Sequence, residues 1–174
     1  MATLVLTVIG DDRSGLVSAL SGIIADHGGS WERSQLARLA GKFAGIVVVA
    51  IPDDRIESLM RDLKPLDTRG LLDVTVERGS ERSAEPTDLA RLHLELVGAD
   101  RPGIVHDISA ALAAQQVSVE ELHTATREAP MAGEMLFEAS ATLLAPPTVP
   151  IAELQRILED LANELMVDLS LSAE

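Results

Sequence analysis

Two short glycine-containing segments hold the residues whose types and spacing are best suited to binding chemistry. They read Gly10-Asp11-Asp12-Arg13-Ser14-Gly15-Leu16-Val17 and, 88 positions later (98 − 10 = 88), Gly98-Ala99-Asp100-Arg101-Pro102-Gly103-Ile104-Val105. Apolar residues at helical spacing follow each segment, which predicts an amphipathic helix directly after the glycine turn. The first backbone N–H groups of such a helix, with the macrodipole behind them, attract a small anion such as a carboxylate.

Acidic side chains beside these amides extend the chemistry to a zwitterion. Asp11, Asp12 and Asp100 can receive an ammonium group, so one turn has partners for both ends of an amino acid. This is a hypothesis about binding, and it assigns no catalytic residue. The ligand-binding candidates are Gly10, Asp11, Asp12, Arg13, Ser14, Gly15, Leu16, Gly98, Asp100, Arg101, Pro102, Gly103 and Ile104.

The residues at the two helix starts bear on how free these amides are. We expect Pro102 at the first helical position and Arg101, a poor capping residue, at the N-cap, so that the amides of Gly103 and Ile104 lack a side-chain cap. The alternative is that the aspartates cap the helices and the glycines only turn the chain. The sequence leaves both readings open.

Other kinds of site find little support in the sequence. The glycine spacing fits neither a dinucleotide fingerprint nor a P-loop, and Ser14 aligns with Pro102, which excludes a duplicated catalytic serine. The chain has no cysteine, and its four histidines show no metal-ligand spacing: His27, His93, His106 and His123. We therefore predict no metal, no cofactor and no enzymatic activity.

Composition limits the classes of partner. Lys and Arg number 14 against 28 Asp and Glu, so the formal charge of −14 repels phosphate backbones and disfavours direct DNA or RNA binding. Aromatic residues make up 2% of the chain, too few for the stacking platforms of single-strand binders. Residues 1–9 carry no basic region typical of a signal peptide, and no apolar run is long enough to span a membrane, so we expect a cytoplasmic protein.

The elements that must position the two turns form a repeat. A short strand precedes each turn, at 4–9 and 92–97, and a helix follows it. Hairpins are predicted at 31–39 with 43–51 and at 117–127 with 134–144, then helices after Pro52 and Pro150, and last strands at 71–76 and 166–171. The order βαββαβ in each half predicts an α+β, ferredoxin-like fold, with two helices on one face of a four-stranded antiparallel sheet.

The domain limits follow from the repeat. We expect a first domain at 1–79, a polar linker at 80–87 and a second domain at 88–174. The other sheet face and the edge strands of each domain need cover, and a neighbouring copy is the obvious source, which suggests a homodimer.

A strand, then Gly-x-Asp-Arg-x-Gly-Leu/Ile-Val, then an amphipathic helix resembles the ACT domain, a regulatory amino-acid-binding module. Two such domains, with Glu120-Glu121-Leu122-His123-Thr124 and Glu134-Met135-Leu136-Phe137-Glu138 after the second turn, resemble the glycine cleavage system transcriptional repressor family over nearly the whole chain. This resemblance implies a protein without its own DNA-binding domain, which senses glycine or a related amino acid and represses through a partner transcription factor. It also implies ligands at interfaces between ACT domains, near 10–16 and 98–104. Of the two turns the second is the more typical, because the first has Ser14 in place of proline.

Two alternatives stay open at this point. One is a ligand-independent interaction or dimerisation module that uses its edges and sheet faces. The other is an enzyme or a regulatory piece related to formyltetrahydrofolate deformylase, whose N-terminal region also resembles an ACT domain. The absence of a catalytic domain after Glu174 disfavours the second alternative.

Overall fold

The computed structural model describes residues 1–80, 88–131 and 133–174. These residues form two compact units, one on each side of the segment 81–87. Nearly all of the predicted linker at 80–87 therefore lies outside the described residues, as does Ala132 in the second hairpin turn.

The first unit is a split βαβ sandwich. Strand β1 (Ala2–Asp11) leads into helix α1 (Leu16–Asp26), the hairpin β2 (Ser30–Leu39) and β3 (Lys42–Ile51), helix α2 (Ile56–Thr68) and strand β4 (Asp73–Arg78). The antiparallel sheet has the order β2-β3-β1-β4. Alternation along the central strands buries one side of the sheet under the helices, and the core residues are Leu4, Leu6, Val8, Val47, Val49, Ile51, Leu16, Leu20, Ile24, Ile56, Leu59, Leu63, Leu66 and Leu72.

The second unit repeats this order. Strand β5 (Ala90–Ala99), helix α3 (Ile104–Ala114), strands β6 (Ser118–Glu128) and β7 (Met135–Ala145), helix α4 (Ile151–Leu165) and strand β8 (Val167–Ala173) follow one another. The sheet order is β6-β7-β5-β8, the counterpart of the first sheet. The predicted α+β class and the doubled βαββαβ topology are confirmed.

The boundaries differ from the predicted ones in a systematic way. Strands β1 and β5 extend past the apolar runs, because their pairing with β3 and β7 continues to Asp11 and Ala99. Strands β4 and β8 begin later than predicted and end later. Four apolar residues at the helical spacing that predicts a buried helix face are exposed instead: Val17, Met60, Val105 and Ile151.

Both cores are aliphatic. Trp31, the single tryptophan, is half-buried and packs against the first core together with Phe43. Phe137 packs against the second core. None of the described helices is long and apolar enough to cross a membrane.

Candidate functional site

Each glycine turn connects a central strand to a helix, and its last glycine has a left-handed backbone conformation. Gly15 has φ 89° and precedes Leu16, and Gly103 has φ 98° and precedes Ile104. A side chain at either position would be strained, which explains the glycines. The prediction that Arg101 is the N-cap and Pro102 the first helical residue is wrong, because Gly103 is the N-cap and the helix begins at Ile104.

The amides at both helix starts are uncapped by side chains. The first backbone bonds of the helices run from Ala19 N to Gly15 O and from Asp107 N to Gly103 O, each 2.9 Å. Among the described residues Asp11 and Asp12 accept hydrogen bonds only from Lys42 and Arg38, and Asp100 accepts none, so the alternative that the aspartates cap the helices is wrong. A Cβ placed on Gly15 would meet no atom within 4 Å, and one on Gly103 would meet only Asp107 Oδ2 at 3.9 Å. A small ligand therefore has room to approach the amides.

In the first turn the charged side chains already have partners. Asp11 pairs with Lys42, and Arg38 Nη1 donates to Asp12 Oδ2 at 3.2 Å. Arg13 donates to the carbonyl oxygen of Gly70, which follows α2. The ammonium group of a ligand would therefore have to compete with Lys42 for Asp11 and with Arg38 for Asp12.

In the second turn the equivalent charges are absent. The strand register puts Ala99 opposite Leu136, where the first unit has Asp11 opposite Lys42, and the counterpart of Arg38 is Thr126. Within the described ranges, the Asp100 side chain has no hydrogen bond or ion pair. The carboxylate of Asp100 is thus free to receive a cation from outside.

The remaining candidate residues fall into three groups: buried side chains, closely packed glycines and exposed residues. The side chains of Leu16 and Ile104 are buried, so these residues can offer a ligand only their backbone. A Cβ on Gly10 would lie 2.2 Å from Leu71 O, and one on Gly98 would lie 2.3 Å from Val167 Cγ1. Close packing therefore requires both of these glycines whether or not a ligand binds. Ser14, Arg101 and Pro102 are exposed.

Several charged residues near the turns are not part of the two glycine motifs. Lys42 and Arg38 flank the hairpin turn of β2 and β3, and the pairing of β1 with β3 brings this turn to the aspartates. Asp107 lies four residues after Gly103 and adds a second exposed carboxylate beside the second turn. The signal that could have found Lys42 is the register of β1 against β3, which the sequence pattern alone does not supply.

Replacing Lys42 with methionine is expected to raise the pKa of Asp11 toward its ordinary value of 3.8. The hydrogen bond from Lys42 and then the charge of the same ammonium group hold this pKa below that value, with a smaller contribution from Arg13. Because the folded-state pKa is lowered, the ion pair stabilises the fold above the unfolded-state pKa, and its contribution is lost as the pH falls through the folded-state pKa. A carboxyl NMR titration measures the shift, and an unchanged Asp11 pKa in the variant would contradict the assignment.

A small apolar cavity lies next to the second turn. Its volume is about 40 Å³, and Ile104, Val105, Val119, Leu122 and Phe137 are among the residues that line it. The position of Val119 is held in the first unit by Trp31, a larger side chain that packs on its core. A cavity of this size admits a methyl group or two, and it is much smaller than an engineered protein cavity of roughly 150 Å³ that binds benzene.

Comparison with known proteins matches both halves of the chain. A sequence profile of the ACT domain matches residues 2–77 and again residues 91–172. The glycine cleavage system transcriptional repressors of Escherichia coli (strain K12) and Shigella flexneri are each 25% identical over 163 residues, which cover 93% of this chain and 85% of the relative.

Two solved structures match over nearly their whole length. An unknown protein from Galdieria sulphuraria has a TM-score of 0.83 at 28% identity, with 99% of this chain and 98% of that chain covered. A putative glycine cleavage system transcriptional repressor has a TM-score of 0.72 at 18% identity, with 99% and 97% covered. The tandem arrangement of two such units in one chain is therefore shared with other proteins.

Proposed function

The chain belongs to the ACT domain family, and on that premise we propose that it is an amino-acid-sensing regulatory protein that acts through a protein partner. The observation that carries the proposal is the second turn, where uncapped amides after Gly103 lie close in sequence to the unpaired carboxylate of Asp100. The amides suit the ligand carboxylate, and Asp100 suits its ammonium group.

The charges around the second turn favour a zwitterion over a simple anion. Asp100 and Asp107 both carry negative charge here, so a bare anion would be repelled, whereas an amino acid brings its own ammonium group. Within the described residues Arg101 has no ion-pair partner, and its guanidinium adds a second donor for a carboxylate. The adjoining cavity of about 40 Å³ favours glycine or an amino acid with a small aliphatic side chain.

We propose that regulation is indirect. The curated relatives are named as repressors of the glycine cleavage system, and we extend that role to this chain as a glycine cleavage repressor-like regulator. A formal charge of −14 opposes contact with DNA phosphates, so repression would pass through a transcription factor rather than through direct DNA binding. In this proposal the ligand binds at an interface between ACT domains and changes the affinity for the partner, and linkage requires the partner to change ligand affinity in return.

The alternative is an interaction module that no longer needs a ligand. The ion pairs that occupy Asp11 and Asp12 favour this alternative for the first unit, since its turn is closed by its own side chains. The two roles can coexist in one chain, with one unit for sensing and the other for assembly.

Isothermal titration of the full chain with glycine, alanine and serine tests the sensing role. We expect saturable binding of at least one of them, and weaker binding of the corresponding amine and carboxylic acid that lack one charged end. Leucine and phenylalanine are the matched large-side-chain ligands and should bind more weakly. Absence of heat with every amino acid tried would overturn the sensing proposal and favour the interaction module.

A further inference from the structure

The two sheets differ on the face that points away from their helices, here called the outer face. In the first unit the centre of this face is largely apolar. Val5 pairs with Val48, and Ile46, which is 51% exposed, pairs with Thr7 on the next row. Ala44 and Ala50 continue this strip along β3. An exposed apolar strip of this kind along a central strand indicates a surface that another molecule or segment covers in the functional protein.

The second unit serves as an internal comparison, because in the same fold the centre of its outer face is polar. The counterparts of Val5 and Val48 are His93 and Thr142, which pair with each other. Ile46 is replaced by Ser140, which pairs with Glu95. The topology therefore does not require apolar residues on this face, and the first unit has them for another reason.

Charges at the two edges of the first outer face show what fits it. One row across the sheet runs from Arg33 on β2 through Val48 and Val5 to Glu77 on β4. Asp73 lies on the same face further along β4. Among the described residues neither Arg33 nor Glu77 forms an ion pair, so each presents an uncompensated charge at the rim.

We propose that the outer face of the first unit binds the same face of a second copy of the chain, with the two-fold axis parallel to the strands. This rotation reverses the strand order and keeps each row in place, so Arg33 of one copy faces Glu77 of the partner subunit. A two-fold axis across the strands would instead set β4 against β4 and bring acidic rims together, which repels. Aligned stacking of two sheets, about 10 Å apart, is a common packing of antiparallel sheets.

The available area suits a modest dimer. In the proposed arrangement β1 and β3 face each other over about 33 Å, and β2 faces the six-residue β4 over about 20 Å. With strands about 4.8 Å apart, this offers roughly 500 Å² per copy, or about 1,000 Å² in total. This is near the lower limit of roughly 1,000 to 1,200 Å² for specific interfaces, so we expect reversible, concentration-dependent association.

Sedimentation velocity of the full chain over a range of concentrations, without added amino acid, tests the proposal. We expect a monomer–dimer equilibrium that Ile46→Glu weakens by at least about tenfold, because it would bury a charge between the sheets. The matched control is Ser140→Glu at the equivalent position of the second sheet, which should leave association unchanged. A chain that stays monomeric, or a dimer that survives Ile46→Glu, would overturn the proposal.

A charge exchange tests the orientation of the two copies. Arg33→Glu and Glu77→Arg should each weaken the dimer several-fold, since each places like charges against each other at both rims. The double variant R33E/E77R restores the opposite pairing and should return association to near the original strength. Both side chains are exposed, so folding should be unaffected, and far-UV circular dichroism checks this. Failure of the double variant to recover would exclude the proposed axis.

Discussion

Gly10→Ala is expected to lower the free energy of unfolding of the first unit by about 3 kcal/mol, the upper range for overpacking a tight site. The new Cβ would lie 2.2 Å from the carbonyl oxygen of Leu71, a backbone atom that cannot rotate away. This segment is held by hydrogen bonds from Leu71 N and Leu72 N to Leu66 O, at 2.8 and 3.1 Å, and by the buried Leu72 side chain. The clash between the new Cβ and Leu71 O could therefore be relieved only by a shift of strand β1 or of the segment before β4.

Urea unfolding followed by circular dichroism measures this loss. Gly22→Ala is the matched control, because Gly22 lies in helix α1, where an added Cβ would meet no atom within 4 Å, and alanine should stabilise the helix there by up to about 1 kcal/mol. Equal unfolding midpoints for Gly10→Ala and the wild-type protein would contradict the packing role of Gly10. If Gly10→Ala loses stability but still binds the amino acid as the wild-type protein does, Gly10 is needed for packing and not for ligand binding at the second turn.

Asp100→Asn is expected to weaken amino-acid binding by about 10- to 100-fold, the range for a lost hydrogen bond between charged groups. The amide keeps the size of the carboxylate and removes its charge, so the ligand ammonium group loses its counterion. The matched control is Asp12→Asn at the equivalent position of the first turn, where the aspartate is already paired with Arg38. We expect the control to change binding by less than about twofold, within the small effects typical of exposed ion pairs.

Titration calorimetry of both variants with the best-binding small amino acid gives the comparison. If Asp100→Asn binds the amino acid with wild-type affinity, Asp100 does not bind the ligand's ammonium group. An equal loss in both variants would mean that the paired aspartates of the first turn also take part, and it would contradict the asymmetry described above. Thermal melting of each variant checks that neither change acts through folding.

The architecture can be predicted from the sequence because the same pattern of motif, helix and strands occurs in both halves of the chain. Two copies of Gly-x-Asp-Arg-x-Gly at a constant offset locate the helices α1 and α3, and alternation locates the central strands. The predicted helix start in the second copy is two positions too early, because proline is common at the first helical residue and Pro102 suggests that role. The left-handed backbone of Gly103 decides the start, and no residue pattern distinguishes it from an ordinary turn glycine.

The state of the candidate site depends on strand register, which the sequence pattern does not specify. Asp12 and Asp100 occupy the same position of the motif, yet only Asp12 is paired, with Arg38, and its neighbour Asp11 is paired with Lys42. These cations come from a hairpin that is distant in sequence and reaches the turn by pairing β3 with β1. The difference between the two turns is therefore a tertiary property, and the motif alone would treat them as alike.

The single tryptophan makes the first unit optically distinct. The chain has no tyrosine, and Trp31 packs against the first core, so intrinsic fluorescence comes from that unit alone, apart from the weak emission of the two phenylalanines. Circular dichroism, in contrast, reads helices from both units. One sample monitored by both signals can therefore distinguish a chain that melts as a whole from one whose halves come apart independently.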